Sequence, residues 1–243
     1  MPTPSTIRLD GTDSVTAIEY PADIPAAATG AAAVPDTTLI LAHGAGAPQT
    51  HPFMTAFARG LSSRGVHVVT FNFLYKERGR RAPDPAPRLE ACYRAVIATV
   101  RERGPQAGRR LLVGGKSMGG RIASQVVAAD TQARVSPGVD GLVLLGYPLH
   151  PPGRPEKLRD AHLPAVAAPM LFVQGSRDTF GTPEELGPVL ARCTSAELLV
   201  VDGGDHSFKV RGRDAPTEAE VHARVQDAIR GWIGRLRGRG SAP

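Results

Sequence analysis

Short apolar runs recur along this chain at intervals filled by helix-like patterns, and that alternation restricts the fold more than any other feature. The runs occupy 14–20, 38–42, 66–71, 110–113, 141–145, 170–173 and 196–201. Several, such as Leu39-Ile40-Leu41-Ala42 and Leu142-Val143-Leu144-Leu145, are apolar throughout, as strands covered on both faces are. Helical patterns lie between them at 52–64, 87–103, 118–129, 183–191 and 217–236. The expectation is an α/β fold: a mainly parallel sheet of about seven strands with helices on both faces. Two helix starts have independent support, because Thr182 and Thr217 each offer a capping hydroxyl with Glu185 or Glu220 three residues on. Pro183 also falls at the favoured first helical position.

No long polar stretch divides the 243 residues, so one domain is expected over 1–243. Residues 21–35 and 76–87 look like irregular connections, the second an exposed loop, and 238–243 a disordered tail. Hydrophobic residues make up 42% and charged residues 21%, which supplies a sizeable core and excludes general disorder. No run is long enough to span a bilayer and the start of the chain has no signal-peptide pattern, so neither a membrane nor export is expected and the location is read as cytoplasmic. Cys92 and Cys193 are read as reduced thiols, without metal-ligand spacing. The net charge of +6 raises the question of nucleic acid. Arg230, Arg235, Arg237 and Arg239, however, fall on the end of a terminal helix, where cations suit the helix dipole, and no recognition module accompanies them.

The chemistry starts at Gly114-Gly115-Lys116-Ser117-Met118-Gly119-Gly120, between the run 110–113 and the helical pattern from 118. Ser117 has Gly115 and Gly119 two residues to either side, the G-x-S-x-G pattern of a sharp strand-to-helix turn that exposes a nucleophilic hydroxyl. With 27 glycines in the chain the pentapeptide alone is weak, and it needs its context. A serine also needs a positioned base, and the base a carboxylate to orient it. In an open α/β sheet the expected order is Ser, then Asp or Glu, then His, at successive strand ends. Asp178 follows the run 170–173 and His206 follows 196–201, which meets that order.

Asp202 and Asp205 are rival carboxylates near His206, Asp202 the stronger of the two. His67, His150, His162 and His222 fall where histidines are more often structural or solvated. An oxyanion also needs donors. His43-Gly44-Ala45-Gly46 leaves the run 38–42 as a turn of small residues, so the N–H groups of Ala45 and Met118 are the candidate donors, with Gly46 as the alternative to Ala45. His43 is read as a brace for that turn.

Taken together, these residues resemble the α/β-hydrolase superfamily over nearly the full length of the chain. The narrower resemblance is to small dienelactone-hydrolase-like members related to the testis-expressed hydrolase-like proteins and to the regulatory subunit of the NSL histone acetyltransferase complex. It rests on His43 to Gly46, Gly114 to Arg121, Tyr147-Pro148-Leu149-His150-Pro151-Pro152-Gly153 and Arg177-Asp178-Thr179-Phe180-Gly181-Thr182. The resemblance implies the fold and a Ser117–Asp178–His206 triad and leaves the substrate open. Dienelactone hydrolases proper use a cysteine nucleophile, so the serine at 117 argues against that activity.

Lys116, Gly46, Tyr75 and His150, with Arg121, are candidates for the pocket wall; Lys116 is read chiefly as solvated or braced to a carboxylate. About two dozen Pro-rich residues separate Leu145 from Met170, too few for a cap domain, so an open site is expected. The functional expectation is a serine carboxylesterase or thioesterase acting on small or accessible acyl substrates, without cofactor or metal. The alternatives are acyl transfer or peptide cleavage by the same triad, or a hydrolase-shaped binding or scaffold protein. Dehalogenase and epoxide hydrolase chemistry would want an aspartate at 117. The sequence carries no signal for oligomeric state.

Overall fold

A computed structural model describes residues 1–9, 11–23, 36–103, 110–135 and 138–236. The expected tail at 238–243 and most of the connection at 21–35 lie outside the described residues. In chain order the strands are β1 (Thr3–Arg8), β2 (Ser14–Tyr20), β3 (Thr37–Ala42), β4 (His67–Phe71), β5 (Arg110–Lys116), β6 (Gly141–Leu145), β7 (Met170–Gly175) and β8 (Ala196–Val201). The helices are α1 (Pro52–Ser62), α2 (Leu74–Glu77), α3 (Ala86–Arg103), α4 (Met118–Gln132), α5 (Pro183–Leu190) and α6 (Glu218–Arg235). All eight strands form one sheet in the order β1-β2-β4-β3-β5-β6-β7-β8. The β1/β2 and β2/β4 pairs are antiparallel, and every other neighbouring pair is parallel.

The sheet thus has one strand more than the seven expected. β1 is an edge strand in which only Ile7 is buried, so it presents no apolar run, and Pro4 is tolerated because an edge strand has N–H positions outside the ladder. β5 runs three residues past its apolar part, through Gly114 and Gly115 to Lys116, because parallel pairing with β3 and β6 continues to Gly115 and Lys116.

Alternation sorts the central strands into two cores. Leu39, Leu41, Leu112, Val143, Leu145, Leu171 and Val173 face α1 and α6, where Phe57, Leu61, Val225, Ile229 and Trp232 meet them. Ile40, Ala42, Val113, Leu142, Leu144 and Phe172 face α3 and α4, packing on Tyr93, Val96, Ile122 and Val126. Each fully buried aliphatic or aromatic side chain contributes about 1.5–3 kcal/mol of transfer free energy, and covering both faces is what lets the strands be continuously apolar. Both expected capping boxes are present, Thr182 with Glu185 and Thr217 with Glu220. At the end of α6, Arg235 pairs with Glu197 at 2.8 Å. Arg237 and Arg239 lie outside the described residues.

The stretch 76–87 is an exposed loop over 78–83, as expected, but its two ends belong to α2 and α3 and its interior is tied down. α2 occupies its start, Glu77 accepts hydrogen bonds from the Thr16 N–H and hydroxyl, and Asp84 is buried against Arg80 at 2.5 Å. Leu74 and Tyr75 anchor this turn in the core. Between β6 and β7 the chain forms only the 3-10 turn Leu163–Ala165, so no separate cap domain covers the sheet. No described helix is long and apolar enough to cross a membrane.

Candidate active site

Parallel pairing brings the C-terminal ends of β3, β5, β7 and β8 to one edge of the sheet, and the chain leaves each end through one of the residues singled out in the sequence. His43 follows β3, Ser117 follows β5, Asp178 lies three residues beyond β7, and His206 ends the turn after β8. Residues as much as 163 positions apart in sequence, His43 and His206, therefore meet at the crevice where α/β sheets bind ligands.

Ser117 is held at φ 52° and ψ −117°, a positive φ on a residue with a Cβ, as the N-cap of α4. Such a conformation costs about 1–3 kcal/mol and persists only where the surroundings enforce it. Two glycines provide the surroundings. A Cβ on Gly115 would lie 2.4 Å from the Ala42 carbonyl oxygen and 2.7 Å from the Gly119 carbonyl carbon, and one on Gly119 would lie 2.4 Å from the same Ala42 oxygen. The turn is therefore packed backbone against backbone, and the Ser117 N–H donates to the Leu145 carbonyl at 2.9 Å.

The Ser117 hydroxyl lies 2.9 Å from His206 Nε2, and His206 Nδ1 lies 2.7 Å from Asp178 Oδ2. A carboxylate only accepts, so Nδ1 carries the proton and Nε2 is left to accept from the serine. Desolvation holds the His206 pKa below its usual value, against the hydrogen bond that His206 donates to Asp178, and the nearby Lys116 cation lowers it further. The Phe180 ring stacks on the imidazole with centroids 4.2 Å apart. Asp178 is 1% exposed; its Oδ1 accepts from the Phe180 N–H at 2.8 Å. Asp202 instead accepts from the Ser176 hydroxyl, and Asp205 caps its own turn by accepting from the Ser207 and Lys209 N–H groups. Both rivals are thereby engaged away from His206.

By sequence Gln174 opens the polar stretch Gln174-Gly175-Ser176-Arg177 that leads from the apolar run to Asp178 and reads as part of a turn. It is instead fully buried at the end of β7, paired opposite Val200. Its amide donates to Asp178 Oδ2 at 2.8 Å and to the Gly181 carbonyl at 2.7 Å, while its carbonyl accepts from the Tyr147 N–H at 2.8 Å. A polar side chain directly continuing the run Met170-Leu171-Phe172-Val173 was the available signal.

His43 braces its turn. Nε2 accepts from the Phe73 N–H at 3.1 Å, so Nδ1 is the protonated nitrogen and donates to the Gly44 carbonyl at 2.7 Å. Burial pushes its pKa down to about 4. Since the 44–45 peptide is trans, fixing the Gly44 carbonyl aims the Ala45 N–H the opposite way. Tyr75 donates to the Ala45 carbonyl at 2.8 Å and fixes the next peptide in the same manner. Met118 is the first residue of α4, whose N–H has no partner within the helix.

A cleft of about 700 Å³ opens over Ser117, with Ala45, Gly46, Lys116, Arg121 and Phe180 in its walls. Two expected wall residues stand behind it instead. Tyr75 is fully buried and spends its hydroxyl on Ala45, and His150 is buried with Nδ1 at 2.9 Å from the Pro151 carbonyl and Nε2 at 3.3 Å from Glu185. Lys116 is neither solvated nor braced to a carboxylate. It is 8% exposed, donates to the His206 carbonyl at 2.5 Å, and lies 5.6 Å from the centre of the Phe53 ring. Burial pushes its pKa down to about 7, opposed by Asp178 and Asp205.

Solved structures with the same architecture include a lidless α/β serine hydrolase from Xanthomonas campestris, 20% identical over 100% of this chain and 97% of its own, with TM-score 0.68. A dienelactone hydrolase from Anabaena variabilis is 19% identical over 98% of this chain and 99% of its own, with TM-score 0.68. Est1E from Butyrivibrio proteoclasticus, solved with ferulic acid bound, is 14% identical over 96% of this chain and 98% of its own, with TM-score 0.70. At these identities the likeness concerns the fold. The family described as Alpha/beta hydrolase domain matches residues 35–234, which takes in every residue of the crevice, and the chain belongs to that family.

Proposed function

We propose that this protein is a serine hydrolase of ester or thioester bonds, using Ser117, His206 and Asp178 on small or accessible acyl substrates. The observation that carries the reading is the unbroken hydrogen-bonded line from Ser117 through His206 to Asp178, 2.9 and 2.7 Å, beginning on a strained turn. Neutral His206 takes the Ser117 proton through Nε2 as the serine oxygen attacks the acyl carbon. Asp178 keeps the proton on Nδ1 and stabilises the imidazolium, and Gln174 and the Phe180 N–H keep Asp178 in place. The N–H groups of Ala45 and Met118 receive the developing oxyanion, a donor of this kind being worth about 2.7–4 kcal/mol. The imidazolium returns its proton to the departing alcohol or thiol, and water, activated by the same histidine, releases the acyl group. Both links of the line are within hydrogen-bonding distance, which favours a working enzyme over a scaffold that merely keeps the shape. The narrower kinship with the testis-expressed hydrolase-like proteins belongs to this reading, as does one domain spanning the whole chain.

A fluorophosphonate probe is expected to label Ser117, and Ser117→Ala and His206→Ala to lose p-nitrophenyl ester hydrolysis by several orders of magnitude. Retention of activity in Ser117→Ala would overturn the assignment.

A further inference from the structure

Three cations, Lys116, Arg121 and Arg159, line the cleft above Ser117. Lys116 is committed to the His206 carbonyl, but the two arginines are not comparably engaged. Arg121 stands one turn into α4 from Ser117, its N–H bonded to the Ser117 carbonyl at 3.1 Å, so its Cα lies about 5–6 Å along the axis from that of the serine. Its Nε is buried without a hydrogen-bond partner, and among the described residues its side chain makes one long hydrogen bond, to Gln125 at 3.5 Å. Burial disfavours its charge, and the neighbouring charge of Arg159 disfavours it further.

Like charges set side by side are offset where a carboxylate pairs with them, and here the nearby carboxylates pair with other arginines, Asp84 through Oδ1 alone, its Oδ2 being buried at the cleft wall without a hydrogen-bond partner. Glu90 pairs with Arg94 at 3.7 Å, Asp160 with Arg192, and Asp84 with Arg80 at 2.5 Å. Among the described residues no carboxylate pairs with either Arg121 or Arg159. The arrangement is electrostatically incomplete in a way that an anion from outside would complete.

Resting on the hydrolase reading above, we infer that the cleft takes esters or thioesters carrying a second, anionic group, a carboxylate a few bonds from the scissile carbonyl, held between Arg121 and Arg159. A carboxylate fits the planar fork of a guanidinium in two parallel hydrogen bonds, and one helical turn is the span of a short dicarboxylic half-ester.

The test compares p-nitrophenyl hemiglutarate with p-nitrophenyl butyrate, and measures binding separately. The ratio of kcat/KM for the two esters is expected to favour the hemiglutarate by about tenfold or more. It should fall towards one in Arg121→Met and in Arg159→Met, whatever happens to either rate alone. Calorimetric titration of the Ser117→Ala protein with glutarate should show binding that weakens about tenfold in an added Arg159→Met and weakens with salt. Inorganic phosphate forms the second arm, and phosphate binding without glutarate binding would overturn the carboxylate assignment. Arginine-dependent glutarate binding by a protein that turns over neither ester supports the subsite while removing the hydrolase reading. Ester turnover with a ratio near one, or a ratio unmoved by both substitutions, removes the subsite alone. Should Arg121→Met fail to fold, Arg159→Met carries the test, because it lies outside the helices and strands.

Discussion

The Lys116 ammonium donates to the backbone carbonyl of His206 at 2.5 Å, so the residue preceding the candidate nucleophile holds the candidate base in place. The groups facing the imidazole from the surrounding elements are Lys116 at the end of β5, Asp178 after β7 and Asp205 in the turn after β8. Of these only Lys116 disfavours the imidazolium through its charge. In Lys116→Met the His206 pKa is therefore expected to rise, and since neutral imidazole is the reactive form, the acid limb of kcat/KM should move to higher pH, by roughly half a unit to one unit. A pH–rate profile measures this; an unmoved or downshifted limb would contradict it.

Ser117 stores backbone strain that glycine would not feel. Ser117→Gly is expected to abolish probe labelling and yet unfold about 2–4 °C higher than the native chain, if roughly 1 kcal/mol of strain survives the added entropy of the unfolded glycine. Differential scanning calorimetry of the two proteins decides it. A lower unfolding temperature would mean that the turn is not strained in the sense described.

Acid should weaken the fold through His43. Its pKa is about 4 when folded against 6.5 ordinarily, so between those values the unfolded chain binds more protons than the folded one. Stability that is full above pH 6.5 is thus lost as pH falls towards 4, by about 3 kcal/mol at most from this residue. Urea midpoints measured at pH 7.5, 6 and 5 should fall in that order, and a flat series would contradict the burial of a neutral His43.

Gln174→Leu leaves the Tyr147 N–H and the Gly181 carbonyl without partners in a dry interior and removes one donor from Asp178. A loss of about 2 kcal/mol or more in stability is expected. Steady-state kinetics add a readout that a merely structural role would not move: with Asp178 less well held, kcat should fall about tenfold with KM little changed. Equal kcat in the two proteins would mean that Gln174 serves packing only.

Much of this architecture was legible because its signals are local. A strand buried on both faces is apolar along its length, as at Leu142 to Leu145, and a serine between two glycines announces a tight turn. What escaped was set by partners distant in sequence. Tyr75 looked like a wall residue because nothing near it in sequence reveals that its hydroxyl is taken by Ala45, and Asp84 looked exposed because the loop around it is rich in proline and arginine. Lys116 misled for a related reason. A lysine after two glycines reads as surface, whereas the pairing of β5 with β6 draws it inside, opposite Leu145.

The short connection between Leu145 and Met170 makes the crevice a doorway rather than a room. Without walls on every side, such a site cannot choose its guests by their volume, and a large remainder of a molecule can stay outside while one acyl group enters. Selection then falls to the few fixed points at the threshold, and rejection of a wrong substrate takes the form of an unanswered charge more than of a steric clash. Under the proposed mechanism the same openness lets water reach the acyl group once the first product has left.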